Sequence, residues 1–367
     1  MKRSLLLSCG DLSGDLWASQ IILLLRERRP EVEVVALGGE ESRRAGARLL
    51  VDTVSHSTVG LSEVLRALSF WRKTWREASA FLRKEKPSVL LAIDNPGFNL
   101  RLVRLCAREG IPVVYFAPPQ VWAWGRWRGR FLARCADHIL HLFPWEGKYF
   151  LGGRARVSWV GHPLGAWWGK IPQRGPNPRT ILFLPGSRRN EVLSFLPVLR
   201  GLLSEYGGRF LRYRLVLVAA SPLLRPLLEA GRGPFPVQIV DRRDLYPLFE
   251  DTVLAVSSSG TVTLEVALGG IPQIVVYRTS WVTFLLGRLL FQAPFIGLPN
   301  ILLGWEIAPE LVQGRFTPAE LFRTMERLLA DSSLPQRARR WAEEIALQLG
   351  DGRTFERVAE VVAQYLE

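Results

Sequence analysis

Three turns hold residue types whose spacing suits chemistry. Asp94 closes an apolar run at 88–93 and opens the turn Asp94-Asn95-Pro96-Gly97. A carboxylate there either initiates the turn through its own backbone or serves as a general base. Around residues 252–278 a Val-rich run leads through Ser257, Ser258, Ser259 and Gly260 into a helix predicted from Thr261. The first amides of such a helix have no partner inside it, and the helix dipole favours an anion, so a phosphate or pyrophosphate is the natural guest. The plainer alternative is a Ser cap on an ordinary α/β crossover. Glu265, one turn in, is spaced to accept from a ribose hydroxyl pair. Arg188, in the turn PGSRRNE at 185–191, is placed to grip a diphosphate bidentately. Trp122-Ala123-Trp124 with Arg126, Arg128 and Arg130 offers aromatic faces and guanidinium groups to a phosphate, a sugar face or lipid headgroups, or packs beside a helix start. His138 and His141 lie three apart in a predicted strand and point to opposite faces, and the chain has no Asp-x-Asp triplet. No metal and no cofactor are expected.

These turns need elements to position them. Short apolar runs at 4–8, 32–37, 88–93, 113–116 and 138–143 read as buried strands, with helices at 14–29 and 100–108 between them. The pattern repeats after a Pro-rich linker at 170–179, with strands at 180–184, 215–219, 237–240, 253–256 and 273–277. The last two helices are expected at 334–349 and 353–367. Strand–helix alternation predicts parallel sheets with helices on both faces, and ligands past the strand carboxyl ends, where the three turns fall. The expected domains are 1–165, a Rossmann-like domain for an acceptor, and 175–330, a Rossmann-like domain for a nucleotide sugar. C-terminal helices at 331–367 are expected to pack back on the first domain.

Composition narrows the class. At 367 residues the chain fits two domains, and 48% hydrophobic content with 32 Gly and 24 Pro is globular. The formal net charge of +14 suggests an anionic partner. Cys9, Cys106 and Cys135 show no paired spacing, so neither disulfides nor a zinc site is indicated. The apolar start at 5–7 is too short for a signal peptide, and Arg288, Pro294 and Pro299 break the apolar region at 281–305. No nucleic-acid module is recognisable, so nucleic acid is not an expected partner.

Taken in order, the motifs resemble the lipid-A-disaccharide synthase family, glycosyltransferase family 19. They are LSGD at 12–15, VGLSEVL at 59–65, IDNPGFN at 93–99, PQVWAW at 119–124, VGHPL at 160–164, LPGSRRNE at 184–191, SSGTVTLE at 258–265, VVYR at 275–278 and LPN at 298–300. The resemblance implies an α/β enzyme of the GT-B type, its two domains facing across a cleft. It would be metal-independent and inverting, joining UDP-2,3-diacylglucosamine to 2,3-diacylglucosamine 1-phosphate. By the same resemblance Asp94 is the general base. Arg188, Ser259, Gly260, Thr261, Glu265 and Asn300 lie on the UDP side, and Ser13, Gly14, Asp15, Glu63, Trp122 and His162 on the acceptor side. The chain departs from the family's usual pattern at Asp11, Gly97 and Pro118, all in the acceptor half. A different lipid or sugar acceptor, or a UDP-N-acetylglucosamine 2-epimerase on the same fold, are the rival enzymes.

Both implied sugars carry acyl chains, so a membrane surface is the expected setting. The segment 65–86 carries Leu65, Leu68, Phe70, Trp71, Trp75, Phe81 and Leu82 among Arg72, Lys73, Arg76, Arg83, Lys84 and Lys86. The basic groups suit anionic headgroups and the aromatics a bilayer interface; the alternative is that the Trp side chains pack into the first domain. The expectation is a cytoplasmic protein attached to the inner face of the inner membrane through Trp71, Arg72, Lys73, Trp75 and Arg76. A homodimer is left open.

Overall fold

A computed structural model describes residues 3–55, 64–281, 284, 287 and 293–367, the side chains of 64–68 excepted. The chain forms two compact units, Met1–Ala166 with Leu349–Glu367, and Trp167–Gln348. The first unit is built on seven parallel strands: β1 (Ser4–Ser8), β2 (Glu33–Gly38), β3 (Arg48–Asp52), β4 (Val89–Ile93), β5 (Val113–Phe116), β6 (His138–His141) and β7 (Arg156–Trp159). Their order is β3-β2-β1-β4-β5-β6-β7. Between them run α1 (Leu12–Arg28), α2 (Glu40–Arg44), α3 (Val64–Glu85), α4 (Pro96–Glu109) and α5 (Trp127–Cys135). The central strands are buried at every position because helices cover both faces, so they read as apolar runs without alternation.

The second unit repeats the plan with β8 (Thr180–Leu184), β9 (Arg214–Ala219), β10 (Val237–Asp241), β11 (Thr252–Ser258), β12 (Gln273–Tyr277) and β13 (Glu310–Val312), in the order β10-β9-β8-β11-β12-β13. Its helices include α6 (Arg189–Tyr206), α7 (Arg225–Gly231) and α8 (Val262–Leu268). All recorded pairings in both sheets are parallel.

Strand order reverses once in each sheet, between β1 and β4 and between β8 and β11. Crossovers on either side of such a switch point leave in opposite directions and open a crevice past the strand carboxyl ends. The turns carrying Asp94, Arg188 and Ser259 follow β4, β8 and β11, so the candidate residues sit at the two switch points.

The last helix, Thr354–Gln364, returns to the first unit and buries Phe355, Val358, Ala359 and Val362 with Ile21, Ile22 and Leu25 of α1. Each such side chain contributes about 1.5–3 kcal/mol of apolar burial. The helix before it, Leu334–Leu349, groups with the second unit up to Gln348, so the return is made by the final helix rather than by both. Three edge strands, β3, β7 and β13, are additions to the sequence reading; their partly exposed positions give no apolar run.

Candidate active site

Asp94 and Asn95 both adopt left-handed backbone, at φ 43° and 45°. Two successive non-glycine residues there store strain that the surroundings must hold in place. The hold is visible. The Asp94 amide donates to Phe116 O at 3.0 Å, and its carbonyl accepts from Tyr115 Oη at 2.6 Å and Asn99 Nδ2 at 2.8 Å. Asn99 is fully buried and also bonds Ser8 O, Ile93 O and the Ser8 hydroxyl, tying the ends of β1 and β4 together. Burial, and then the Asp94 charge, push the Tyr115 phenol well above its ordinary pKa, so it stays a donor. Asp94 is thus a carboxylate on a clamped backbone at a switch point. A Cβ on Gly10 would come 2.1 Å from Asn95 Nδ2, so glycine is required there for the Asn95 side chain to lie over the β1 turn.

On α1, Ser13 is exposed and Gly14 is buried, with Asp11 capping the helix by accepting from Gly14 N at 2.7 Å. Asp15 has a different task from the acceptor contact assigned to it. It is buried and accepts from Gly39 N, Glu41 N, Ser42 N and the Ser42 hydroxyl, so its oxygens hold the turn into α2. Glu63 and most of the motif at 59–65 lie outside the described residues.

Trp122 is buried, not a sugar platform. Its indole N–H donates to Glu146 Oε1 at 2.8 Å, while Glu146 Oε2 accepts from Leu142 N and Phe143 N. Burial pushes the Glu146 carboxyl up to about 7, against the pull of these three donors. Trp122 packs edge-on to Trp145, which stacks on Phe143, which in turn stacks on His162. His162 is buried, accepts from Leu164 N at 3.1 Å, and is held neutral with its pKa lowered to about 3 by burial. Both therefore position the Pro119–Trp124 turn from behind. Trp124, by contrast, is 49% exposed, with the Arg128 guanidinium 3.7 Å from its ring centroid. His138 and His141 are both buried, bonded respectively to Ser158 Oγ and Phe143 O.

Along α3, Trp71 and Trp75 are half-buried and pack on Phe98 of α4, with ring centroids 5.1 and 6.3 Å away. The packing alternative therefore accounts for much of both indoles. Arg72, Lys73 and Arg76 are exposed. The side chains of Leu65 and Leu68 lie outside the described set.

In the second unit, Arg188 precedes α6 with its side chain 81% exposed and lightly paired to Glu191 at 3.4 Å. Glu191 closes a capping box on the Ser187 and Arg188 amides. The start of α6 is thus occupied by the chain's own carboxylate. At the end of β11 the amides of Gly260, Thr261 and Val262 have no acceptor among the described residues, Gly260 borders open space, and Thr261 is exposed. Ser259, Asn300 and Glu265 are engaged internally. The Ser259 hydroxyl donates to Ile296 O at 2.8 Å. Asn300 is fully buried; its Nδ2 donates to Ala308 O and Glu310 Oε1, and its Oδ1 accepts from Ile307 N and Ala308 N. All its hydrogen bonds are spent holding the loop whose Ile296 carbonyl receives Ser259. Glu265, buried in the first turn of α8, is paired with Arg242 through Oε2, and its charge acts on the Tyr246 phenol.

Asn99, Tyr115, Glu146, Arg242, Tyr246 and Glu310 were not singled out from sequence. Arg242 follows β10 directly, and inspection of every strand end would have found it. The contact of Glu146 with Trp122 has no local signal, since the two lie 24 positions apart. No cluster of His, Cys, Asp or Glu suited to a metal occurs among the described residues.

Two parallel-sheet α/β domains with site residues at both switch points define the class shared by GT-B glycosyltransferases and sugar-nucleotide epimerases. Among solved structures the chain is similar to the glycotransferase of kitacinnamycin (TM-score 0.64, 15% identity, all of both chains) and to UDP-GlcNAc 2-epimerase from Neisseria meningitidis bound to UDP-GlcNAc (TM-score 0.66, 11% identity, 98% of this chain and 100% of that one). These likenesses establish the fold. Residues 5–356 match the family model for lipid-A-disaccharide synthetase. Curated relatives named lipid-A-disaccharide synthase include those of Trichlorobacter lovleyi (31% identical, 100% of this chain and 98% of the relative) and Anaeromyxobacter dehalogenans (32%, 98% and 96%). The chain belongs to the lipid-A-disaccharide synthetase family, and is a glycosyltransferase of lipid A biosynthesis.

Proposed function

We propose that this enzyme joins UDP-2,3-diacylglucosamine to 2,3-diacylglucosamine 1-phosphate, releasing UDP and leaving a β-1,6 disaccharide 1-phosphate. The observation that carries the reading, within this family, is Asp94 held on clamped left-handed backbone at the β1/β4 switch point. Asp94 takes the proton of the acceptor 6-hydroxyl as its oxygen attacks the anomeric carbon and UDP departs, inverting that centre in one displacement. The departing diphosphate gains charge, which the exposed Arg188 and the open amides at 260–262 stabilise without a metal. Ser259, Asn300, Asp15, Trp122 and His162 act from behind as positioning residues. Among the described groups of the acceptor side, exposed Ser13 and exposed Trp124, whose ring is backed by the buried Arg128 guanidinium, meet the acceptor directly.

A related transferase with another acceptor is the second reading, and Gly97 favours it: the family's usual Asp is missing where a side chain would enter open space. Mass spectrometry of products from UDP-diacylglucosamine and a panel of acceptors decides between them. A disaccharide 1-phosphate formed in preference to other products supports the first; transfer to a different acceptor selects the second; 2-epimerised sugar without transfer defeats both. We also place the enzyme peripherally on an anionic membrane, through the exposed basic groups of α3 rather than its indoles.

A further inference from the structure

Glu265 sits in an environment that asks for an explanation. Its side chain is 8% exposed, yet it lies one turn into α8, beside the open amides at 260–262. A carboxylate so far from water needs compensation, and the second unit supplies it from a separate segment. Arg242, just past β10, donates Nη2 to Glu265 Oε2, and Tyr246, four residues on, interacts electrostatically with the same carboxylate. The Arg242 guanidinium also lies 5.4 Å from the Tyr246 ring centroid. Burial works against the Arg242 charge, but Glu265 and Tyr246 more than offset it and push its pKa up; burial and Glu265 likewise push up that of Tyr246. Both groups therefore keep their protons beside the one carboxylate. Arg242 keeps 37% of its side chain exposed, so the triad borders solvent on the Arg242 side.

We infer that Arg242 and Tyr246 are positioning residues that hold Glu265 as a fixed acceptor for the vicinal diol of the donor's ribose, and so set selectivity for ribonucleotide over deoxyribonucleotide. The inference rests on the donor reading above. A carboxylate whose orientation is locked offers its remaining acceptor sites in one direction. An analogue lacking a hydroxyl leaves that buried acceptor unpaired, which costs about ten- to a hundredfold in affinity. The diphosphate contacts proposed above, made by Arg188 and the backbone amides at 260–262, are untouched by the loss.

The test is calorimetric titration of the full chain with UDP and with 2′-deoxy-UDP, for wild type, R242M, R242Q and Y246F, each checked for native fold by thermal unfolding. Wild type is expected to prefer UDP about tenfold or more. In R242M and R242Q that ratio falls toward one while affinity for 2′-deoxy-UDP stays within about threefold; Y246F gives a smaller fall. A merely structural role would weaken both nucleotides together and leave the ratio unchanged. An unchanged ratio in the folded variants, or no preference in wild type, overturns the inference. Wild type that binds neither nucleotide overturns the donor reading instead. If R242M fails to fold, the ratios in R242Q and Y246F decide.

Discussion

At the scale of single residues, the structure separates groups that can touch a substrate from groups that hold others in place. Asp94 and Arg188 are on the first side. Asp94→Asn is expected to fold and bind UDP normally but to lose turnover by about 10² or more. Arg188→Ala is expected to weaken UDP binding as well as rate, since the guanidinium meets the diphosphate before and during reaction. Titration calorimetry with steady-state kinetics distinguishes the two patterns; near-normal turnover in Asp94→Asn would return Asp94 to the role of a turn residue. Glu146 is on the second side, and its chemistry is readable through stability. Its carboxyl, near 7 in the folded chain against 4.5 ordinarily, keeps a proton that the unfolded chain has released. Stability from this group is therefore full below pH 4.5 and falls as pH rises toward 7, by on the order of 3 kcal/mol. Glu146→Gln has nothing to titrate. Urea denaturation at pH 5 and pH 7.5 should show a smaller decline for Glu146→Gln than for wild type; equal declines would mean the carboxyl is not perturbed. The buried histidines act in the opposite sense, and the comparison cancels them.

At the scale of elements, α3 presents two different faces. Its indoles pack on Phe98 while Arg72, Lys73 and Arg76 face solvent. The two kinds of substitution should therefore fail differently. Trp71→Ser/Trp75→Ser is expected to lower thermal stability, through lost packing on α4. Arg72→Glu/Lys73→Glu is expected to leave stability nearly intact and reduce sedimentation with anionic vesicles, an attraction of about 1 kcal/mol for each basic residue near the surface. Neutral vesicles should bind both proteins alike. Undiminished binding to anionic vesicles by the charge-reversed protein would remove α3 as the docking element.

At the scale of the whole molecule, both units are doubly wound sheets with one order reversal each, and the candidate residues divide between them. Asp94 belongs to the first unit, and Arg188 and the open amides at 260–262 to the second. Among the described residues no helix is long and apolar enough to cross a membrane. Charge neutralisation of the departing diphosphate falls to Arg188 and backbone amides in our reading, so turnover should survive EDTA and gain little from Mg²⁺ or Mn²⁺. Loss on chelation, restored by a divalent ion, would show that the diphosphate site is built differently.

Much of the architecture was legible in the chain itself. β1, β5, β8 and β12 occupy the residues predicted for them, because a strand buried on both faces must be an apolar run and a run of that length admits little else. The same logic hid β3, β7 and β13, which lie at sheet edges and mix exposed with buried positions. The turns at Asp94, Arg188 and Ser259 were legible because strand ends are where ligands bind and small or polar residues mark them. What a motif residue does at such a turn was not legible. Asp15, Trp122 and Asn300 sit in motifs, but only tertiary structure revealed that their polar atoms are spent elsewhere in the chain, and that His162 is buried against Phe143. Arg242 and Glu146 show the converse, since the Glu265 and Trp122 side chains they meet lie 23 and 24 positions away along the chain. Local sequence determines which elements form and where they end; which side chain satisfies which buried charge is decided by the folded chain, because desolvation must be compensated by whatever the packing brings within hydrogen-bond reach.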